Sequence, residues 1–303
     1  MLAPIALFVY NRCSCLIETI ESLQENELAD KSNLYVFSDG AKDKNHQKAV
    51  LKVRNYLQTI DGFAKVELIE RSKNYGLAKN IISGVSQIVR KYGKIIVLED
   101  DLVTGKYFLK FMNDALQLYE KNTDVISING YSYFKSKGSE NTYFLKTADN
   151  LGWGTWKDDW SIFDDNGERL LSRIKKEKLE YLFDRKHSYP FLQMLKDQID
   201  GVNDSWAIRW YASAFLENKY TLYPYRSLVY HIGASDVATN YKLRKNDPLD
   251  VELYQKKINV GIIKVKEQKV NGVQYNKFLL KYKIPFYKKV YPKLKSMLRK
   301  INY

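Results

Sequence analysis

Cysteine is nearly absent from this 303-residue chain. Cys13 and Cys15 are the only two, and they cannot build a disulfide framework. Their C-x-C spacing matches no common zinc pattern either. The usage fits reduced thiols in a cytosolic protein. Histidine is almost as scarce, at three residues, which speaks against a histidine-based metal centre. No stretch reads as a leader or a membrane span. Met1–Tyr10 is apolar but lacks a basic leader, and it ends at Asn11-Arg12. It is too short for a signal segment or a bilayer crossing and reads as a buried first strand. A cytoplasmic protein is therefore expected. Internal repeats and low-complexity tracts are missing too. Acidic residues are absent from 277–303, where nine cations stand without a carboxylate.

What is present is ordinary in bulk and unusual in two respects. Apolar residues at 45% and charged residues at 28% describe a globular protein and exclude a disordered chain, a collagen-like chain or a multi-span membrane protein. The length corresponds to about two domains, or one large domain with an appendage. Tyrosine, at 24 residues, is abundant, and the formal charge is +14. A basic protein meets nucleic acid, an anionic membrane surface or a phosphorylated substrate. Here nine of those charges sit in the tail, leaving +5 for the body. That argues against a surface that tracks a nucleic acid throughout.

The first 130 residues alternate between short apolar runs and helical periodicity. Strands are expected at 5–10, 34–38, 66–70, 95–98 and 125–129, and helices at 14–24, 47–60, 77–92 and 107–119. Continuous apolar strands separated by helices imply a mainly parallel α/β sheet covered on both faces. Ligands of such sheets bind at the C-terminal ends of the strands. Residues 131–245 hold all five tryptophans and read as an elaborated second half, and 246–303 as a polar linker followed by a basic amphipathic tail.

The sharpest chemical signal is Val97-Leu98-Glu99-Asp100-Asp101. Three carboxylates directly after a buried strand repel one another, and a divalent cation such as Mn²⁺ or Mg²⁺ offsets that repulsion with hard oxygen ligands. Other strand ends meet at the same edge: Asn11-Arg12, Ser38-Asp39-Gly40, and the stretch from Asn74 through Gly76 to Lys79 and Asn80, which opens a helix. An Arg, a Lys and a helix N-terminus suit a diphosphate, and an Asp at a strand end suits a ribose hydroxyl or a base N–H.

This pattern resembles the GT-A nucleotide-sugar glycosyltransferases from about Pro4 to Asn240. The nearer likeness is to the inverting eukaryotic β-1,2-N-acetylglucosaminyltransferases of N-glycan synthesis and to bacterial polysaccharide-cluster relatives. The resemblance implies a Rossmann-like GT-A fold and a UDP-sugar donor held by Arg12, Asp39, Lys79, Asn80, Glu99 and Asp100. It makes Asp101 the ligand of Mn²⁺ or Mg²⁺. Leu151-Gly152-Trp153-Gly154-Thr155-Trp156 is similar to a family G-W stretch, so Trp153, Trp156 and Trp206 would face sugar rings. Asp204-Ser205-Trp206-Ala207-Ile208-Arg209 is similar to a D-D-W-x-R stretch whose first Asp is the catalytic base. A Ser replaces the second Asp and one residue is inserted, so Asp158 and Asp159 compete with Asp204 for that role. The loop 231–240 falls where the family has a flexible lid, with Ser235 or Thr239 as phosphate donors and His231 behind them or in the core.

The expected activity is inverting, metal-dependent transfer of a hexosyl or N-acetylhexosaminyl group to a glycan in bacterial surface polysaccharide synthesis. Two readings of 277–303 stand: peripheral contact with anionic lipid, which would suit a lipid-linked acceptor, or packing on the body. No nucleic-acid partner is expected. The rival functions are a nucleotidyltransferase, which would want a glycine directly after the first strand where Asn11-Arg12-Cys13-Ser14 has none, and a non-catalytic sugar- or lipid-binding protein on the same fold.

Overall fold

The computed structural model describes residues 1–138, 141–232 and 249–283. In chain order the elements of the first half are β1 (Ile5–Val9), α1 (Cys13–Gln24), β2 (Asn33–Ser38), α2 (Lys44–Leu57), β3 (Lys65–Glu70), α3 (Leu77–Tyr92), β4 (Lys94–Glu99), β5 (Leu102–Thr104), α4 (Phe108–Tyr119) and β6 (Val125–Asn129). The second half adds β7 (Thr142–Leu145), β8 (Trp153–Trp156), α5 (Lys157–Trp160), α6 (Gly167–Lys176), α7 (Glu180–Phe183), α8 (Phe191–Ile199), α9 (Trp206–Leu216), β9 (Tyr220–Pro224) and β10 (Val229–His231). Residues 269–283 are helical.

Every strand and helix expected in the first 130 residues is present, with ends that differ by a few residues. Eight strands form one sheet in the order β3-β2-β1-β4-β8-β6-β9-β7. Its β3, β2, β1 and β4 are mutually parallel, β6 and β9 are parallel to each other, and β8 and β7 pair antiparallel with their neighbours. This is the mainly parallel α/β sheet expected. The inner strands β1, β2 and β4 are mostly apolar because both faces are covered, whereas the edge strand β3 is only half-buried. On β1, Ile5, Leu7 and Val9 face α1, α2 and α4 with Leu34, Val36, Ile96 and Leu98. Ala6 and Phe8 face α3 with Tyr35, Phe37, Ile95 and Val97.

Local signals set the α3 boundaries. Gly93 ends the helix in the left-handed conformation with its N–H on Val89 O, and Arg90 and Lys91 occupy the last turn, where cations meet the helix dipole. The helices α6 to α9 close a smaller cluster around Leu170, Ile174, Phe183 and Leu195.

Two stretches outside the sheet lie against the body. Residues read as a polar linker lie against the body: Leu249, Val251, Tyr254, Val260, Ile263 and Val265 pack on the main core, and Tyr119 Oη donates to Gly261 O. Apolar residues spaced among lysines are enough to dock an extended segment while the charges stay in water. The described start of the basic tail also packs on the body, through Phe278, Leu279 and Tyr282 against Tyr189 and Tyr223. Residues 284–303 lie outside the described part. No helix among the described residues is long and apolar enough to cross a membrane.

Candidate active site

At the C-terminal ends of β1, β2 and β4 the chain leaves a cavity of about 440 Å³. Arg12, Asp39, Asn80, Glu99, Asp100, Asp101 and His231 line it together with Gly76 and Leu77 at the start of α3. Six of these come from the residues singled out in the sequence as nucleotide or metal ligands, and the parallel direction of β1, β2 and β4 is what brings them to one edge.

Arg12 is the centre of the charge arrangement. Its guanidinium bonds Asp100 and lies 2.7 Å from Asp101 Oδ2. The Tyr10 N–H donates to the other Asp100 oxygen at 3.2 Å. Burial by itself would lower the Arg12 pKa, but the two carboxylates raise it above its ordinary value, so its charge is permanent. Burial pushes Glu99 up to about 8, with Asp101 and Asp100 adding repulsion. Burial likewise pushes Asp100 up to about 6 against the pull of Arg12. Asp101 goes the other way. Burial opposes its charge, yet the hydrogen bond from His231 and the charge of Arg12 together hold it below its ordinary value. Of the three consecutive carboxylates, Asp101 is the one whose carboxyl is held below its ordinary value.

His231 reaches Asp101 through a device that composition could not announce. β5 and β10 pair antiparallel, with His231 opposite Leu102, and the Ile232 N–H donates to Asp101 O at 2.9 Å. This ribbon brings His231 Nε2 to 3.3 Å from Asp101 Oδ2. The sequence left His231 either behind the nucleotide and metal ligands or in the core; the structure sets it directly against Asp101.

Asp39 is committed to shaping the wall. Oδ1 accepts from the N–H groups of Tyr75 and Gly40 at 2.8 and 2.9 Å, and Oδ2 accepts from Gly76 N–H at 3.0 Å and Asn74 Nδ2 at 3.1 Å. Four hydrogen bonds occupy the acceptor sites of a carboxylate, so the expected contact with a nucleobase gives way to a positioning role. The loop it holds needs its glycines. A Cβ on Gly40 would stand 2.4 Å from the Lys73 carbonyl carbon, and Gly76 sits at φ +75°, ψ 160°, a region essentially confined to glycine. The result is an α3 N-terminus aimed into the cavity, with its first N–H groups free of intrahelical partners. Asn80 is in the wall, its amide accepting from Arg71 Nε and donating to Phe37 O. Lys79 is exposed and lies 4.9 Å above the Tyr75 ring, outside the lining; Lys42, which the sequence did not single out, takes up the cationic position in it.

Asp204 stands at the rim. It precedes α9, whose N-cap is Ser205, and it is 72% exposed, 3.7 Å from Arg209 Nη2. A Cβ on Gly76 would lie 3.9 Å from Asp204 Oδ2, which places the carboxylate beside the mouth of the cavity. Asp158 and Asp159 are elsewhere. β8 runs antiparallel to β4, with Trp156 opposite Lys94, and Lys157 N–H donates to Gly93 O. The pair therefore sits at the beginning of β4, about 17 Å from its Glu99 end at ~3.3 Å per residue.

The tryptophans are a correction. Trp153, Trp156 and Trp206 are 0, 4 and 2% exposed. Trp153 stacks on Trp206 with ring centres 5.5 Å apart, and Trp156 Nε1 donates to Leu116 O. Their large apolar area is spent on the core beneath α3 and α9 or under α4, leaving no face for a sugar ring. Ser235 and Thr239 lie outside the described residues.

Among the described residues no group of three His, Cys, Asp or Glu side chains is arranged to hold a metal ion by itself. The donor chemistry nevertheless fits a divalent cation with ligands shared by a substrate. Asp101 offers an anionic oxygen and His231 an imidazole, both donor types that Mn²⁺ accepts. His231 Nδ1 is buried without a hydrogen-bond partner among the described residues. Arg12 is already paired with Asp100 and Asp101, so a diphosphate entering the cavity is favoured by further positive charge.

The family model described as "Glycosyl transferase family 2" matches residues 5–167, more than half of the chain. Among solved structures, a mannosyltransferase from Pyrobaculum calidifontis in complex with GDP-Man and Mn²⁺ is 16% identical, over 43% of this chain and 35% of that one, at a TM-score of 0.31. The S. aureus TarS 1–349 structure is 12% identical over 76% of this chain and 60% of that one, at 0.41. A UDP-glucose pyrophosphorylase complexed with UDP-glucose is 12% identical over 74% and 90%, at 0.36. The chain thus spans about a third of the mannosyltransferase and less than two thirds of the TarS structure. Comparison with curated proteins returns no match.

Proposed function

The chain belongs to glycosyl transferase family 2, and from that premise we propose that it transfers a hexosyl or N-acetylhexosaminyl group from a UDP-sugar to a hydroxyl of a glycan, with inversion, in the synthesis of surface polysaccharide. The observation that carries the reading is the placement of Asp101 between Arg12 and His231 at the mouth of a cavity closed by the α3 N-terminus.

The diphosphate of the donor lies against Arg12 and the first N–H groups of α3, which supply fixed positive charge and unpaired donors. Asp101 and His231 would hold Mn²⁺ or Mg²⁺, which when bound supplies Lewis-acid stabilisation of the leaving diphosphate. The acceptor hydroxyl gives its proton to Asp204 as its oxygen bonds the anomeric carbon. The bond from that carbon to the diphosphate oxygen breaks, and the electron pair leaves with the diphosphate. Arg12 and the helix N-terminus are already oriented toward the place where negative charge develops, so they need no reorganisation during the step. One base and no protein nucleophile means attack opposite the leaving group, hence inversion. The cations of 277–303 suit a peripheral position on an anionic membrane, where a lipid-linked acceptor would be found.

Calorimetric titration with UDP, with and without Mn²⁺, tests the donor assignment. Wild type binds in the micromolar range only with the metal, and Asp101→Ala does not bind. Absence of binding by wild type under both conditions would overturn the UDP-site assignment.

A further inference from the structure

The helix 269–283 meets the body with one face and water with the other. Tyr275, Phe278 and Leu279 are buried among Tyr143, Tyr189 and Tyr223, which fixes the helix to β7 and β9 at one edge of the sheet. The same three residues help to line an aromatic cavity of about 270 Å³, which shares Asn150 and Leu151 with the candidate active site. On the opposite face Lys269, Val273, Lys277 and Leu280 follow at spacings of four, four and three, one stripe of a helix, with Val270 and Lys281 beside it. A stripe that faces water is ordinarily polar. Here Val270, Val273 and Leu280 are 43, 48 and 49% exposed. Lys135 and Lys137, both exposed, widen the face: Lys135 O accepts from Gln274 Nε2 and the Lys137 N–H donates to Gln274 Oε1, each at 3.3 Å. Along the chain no Asp or Glu follows Glu267, and its carboxylate is taken by Arg185 at 2.7 Å.

We propose that the outer face of helix 269–283 is a docking surface for an anionic lipid bilayer. The inference rests on the peripheral position read above from 277–303 and gives it a place on the folded body; it does not depend on the donor assignment. Both kinds of side chain on the face enter the argument. Lysines alone would suit any polyanion. The valines and the leucine between them gain only from a partner that takes them out of water. A bilayer interface does this while the lysine stems reach past it and leave their ammonium groups at the headgroup phosphates. A nucleic acid would neutralise the lysines and leave the apolar side chains wet. A second copy of the chain would set lysines against lysines. The sequence beyond the helix adds charge of the same sign, with six further cations in 284–303, and each cation near an anionic surface strengthens the attraction. Packing on the body and contact with lipid, two separate readings of this region in the sequence, thus become two faces of one helix. Because the inner face is part of the core around Tyr143 and Tyr223, docking holds the sheet and the candidate active site in one orientation to the bilayer.

The test is flotation of the full chain with vesicles of phosphatidylcholine, alone or mixed with phosphatidylglycerol. Wild type binds the mixed vesicles and not the neutral ones. Lys269→Gln, Lys277→Gln and Lys281→Gln combined lower the partition coefficient about 100-fold, roughly fivefold for each cation removed near the surface. Val270→Ser, Val273→Ser and Leu280→Ser combined lower it at least about tenfold at unchanged charge, while retention on heparin and the melting temperature stay near wild type. Lys288→Gln and Lys289→Gln form the comparison variant in the tail. Vesicle binding that responds to the tail variant and to neither helix variant would keep the peripheral position and overturn the docking face. Binding that falls with the lysines but is indifferent to the serines would make the face a general polyanion surface, and no binding by wild type would remove the lipid partner; each overturns the proposal. A serine variant that melts well below wild type would mean that the chain itself covers this face, with the same consequence. UDP titration of the same variants reports separately on the donor reading.

Discussion

Two acidic stretches of this chain look alike and behave differently. Glu99-Asp100-Asp101 ends β4 and runs just past it, and Asp158-Asp159 stands one residue beyond β8, each at the end of a buried strand. The first borders a cavity with Arg12 and His231; the second opens the short helix α5 on the far edge of the sheet. Strand direction makes the difference. β4 runs with β1 and β2, so its end joins theirs, whereas β8 runs against β4 and delivers its carboxylates to the beginning of that strand. A carboxylate pair after a strand becomes a site only where other strand ends converge.

The comparison is broken most severely by removing the convergence itself. In Asp101→Ala, Arg12 and His231 lose their common partner, and under the proposed function the donor loses the carboxylate that would hold its metal. Metal-dependent UDP binding should disappear and transfer fall by three orders of magnitude or more, at roughly the scale of losing a principal electrostatic stabiliser. Asp204→Asn should be the next largest. Loss of a general base lowers kcat about 10²–10⁴-fold, and UDP affinity should stay within about twofold because the residue lies at the rim, not in the phosphate contacts. A drop in UDP affinity equal to the drop in kcat would refute the assignment. His231→Gln should act through the metal, raising the Mn²⁺ concentration needed for half-maximal UDP binding by about 10–100-fold; an unchanged Mn²⁺ requirement would return His231 to a packing role.

Much of this was legible in the residues. Ile5–Val9, Val36–Phe37 and Ile95–Leu98 are apolar without alternation, which announces strands buried on both faces, and Gly76 and Gly93 bracket α3. Arg12, Asp39 and Glu99–Asp101 follow strand ends, so their shared edge came with the parallel topology. Less was visible where long-range pairing decides. Nothing local in Val229-Tyr230-His231 says that it pairs with Leu102–Thr104 and so delivers a histidine to Asp101. Nothing in Trp153-Gly154-Thr155-Trp156 says that the strand runs backwards with both indoles inward. The aromatic cavity draws on segments around 133, 149, 189, 211 and 275–282, and no window of sequence contains it.

The mildest test concerns the rejected pair. Asp159 is partly buried, and burial pushes its carboxyl up to about 6, with Asp158 adding repulsion and Lys219 opposing it. Its folded-state pKa is above the unfolded value, so the folded protein binds the extra proton. Stability from this group is complete at low pH and is lost as pH rises from about 4 to about 6. Asp159→Asn removes that loss. The variant should melt near wild type at pH 4 and slightly above it from pH 6.5 upward, with UDP binding and transfer unchanged at every pH. A transfer defect in Asp159→Asn without a stability defect would mean that the far edge of the sheet takes part in the chemistry, and the distinction drawn from strand direction would fail. A stability gain confined to the higher pH would instead identify Asp159 as a carboxylate tolerated for local helix initiation, where an acidic side chain favours the first turn at some cost in burial.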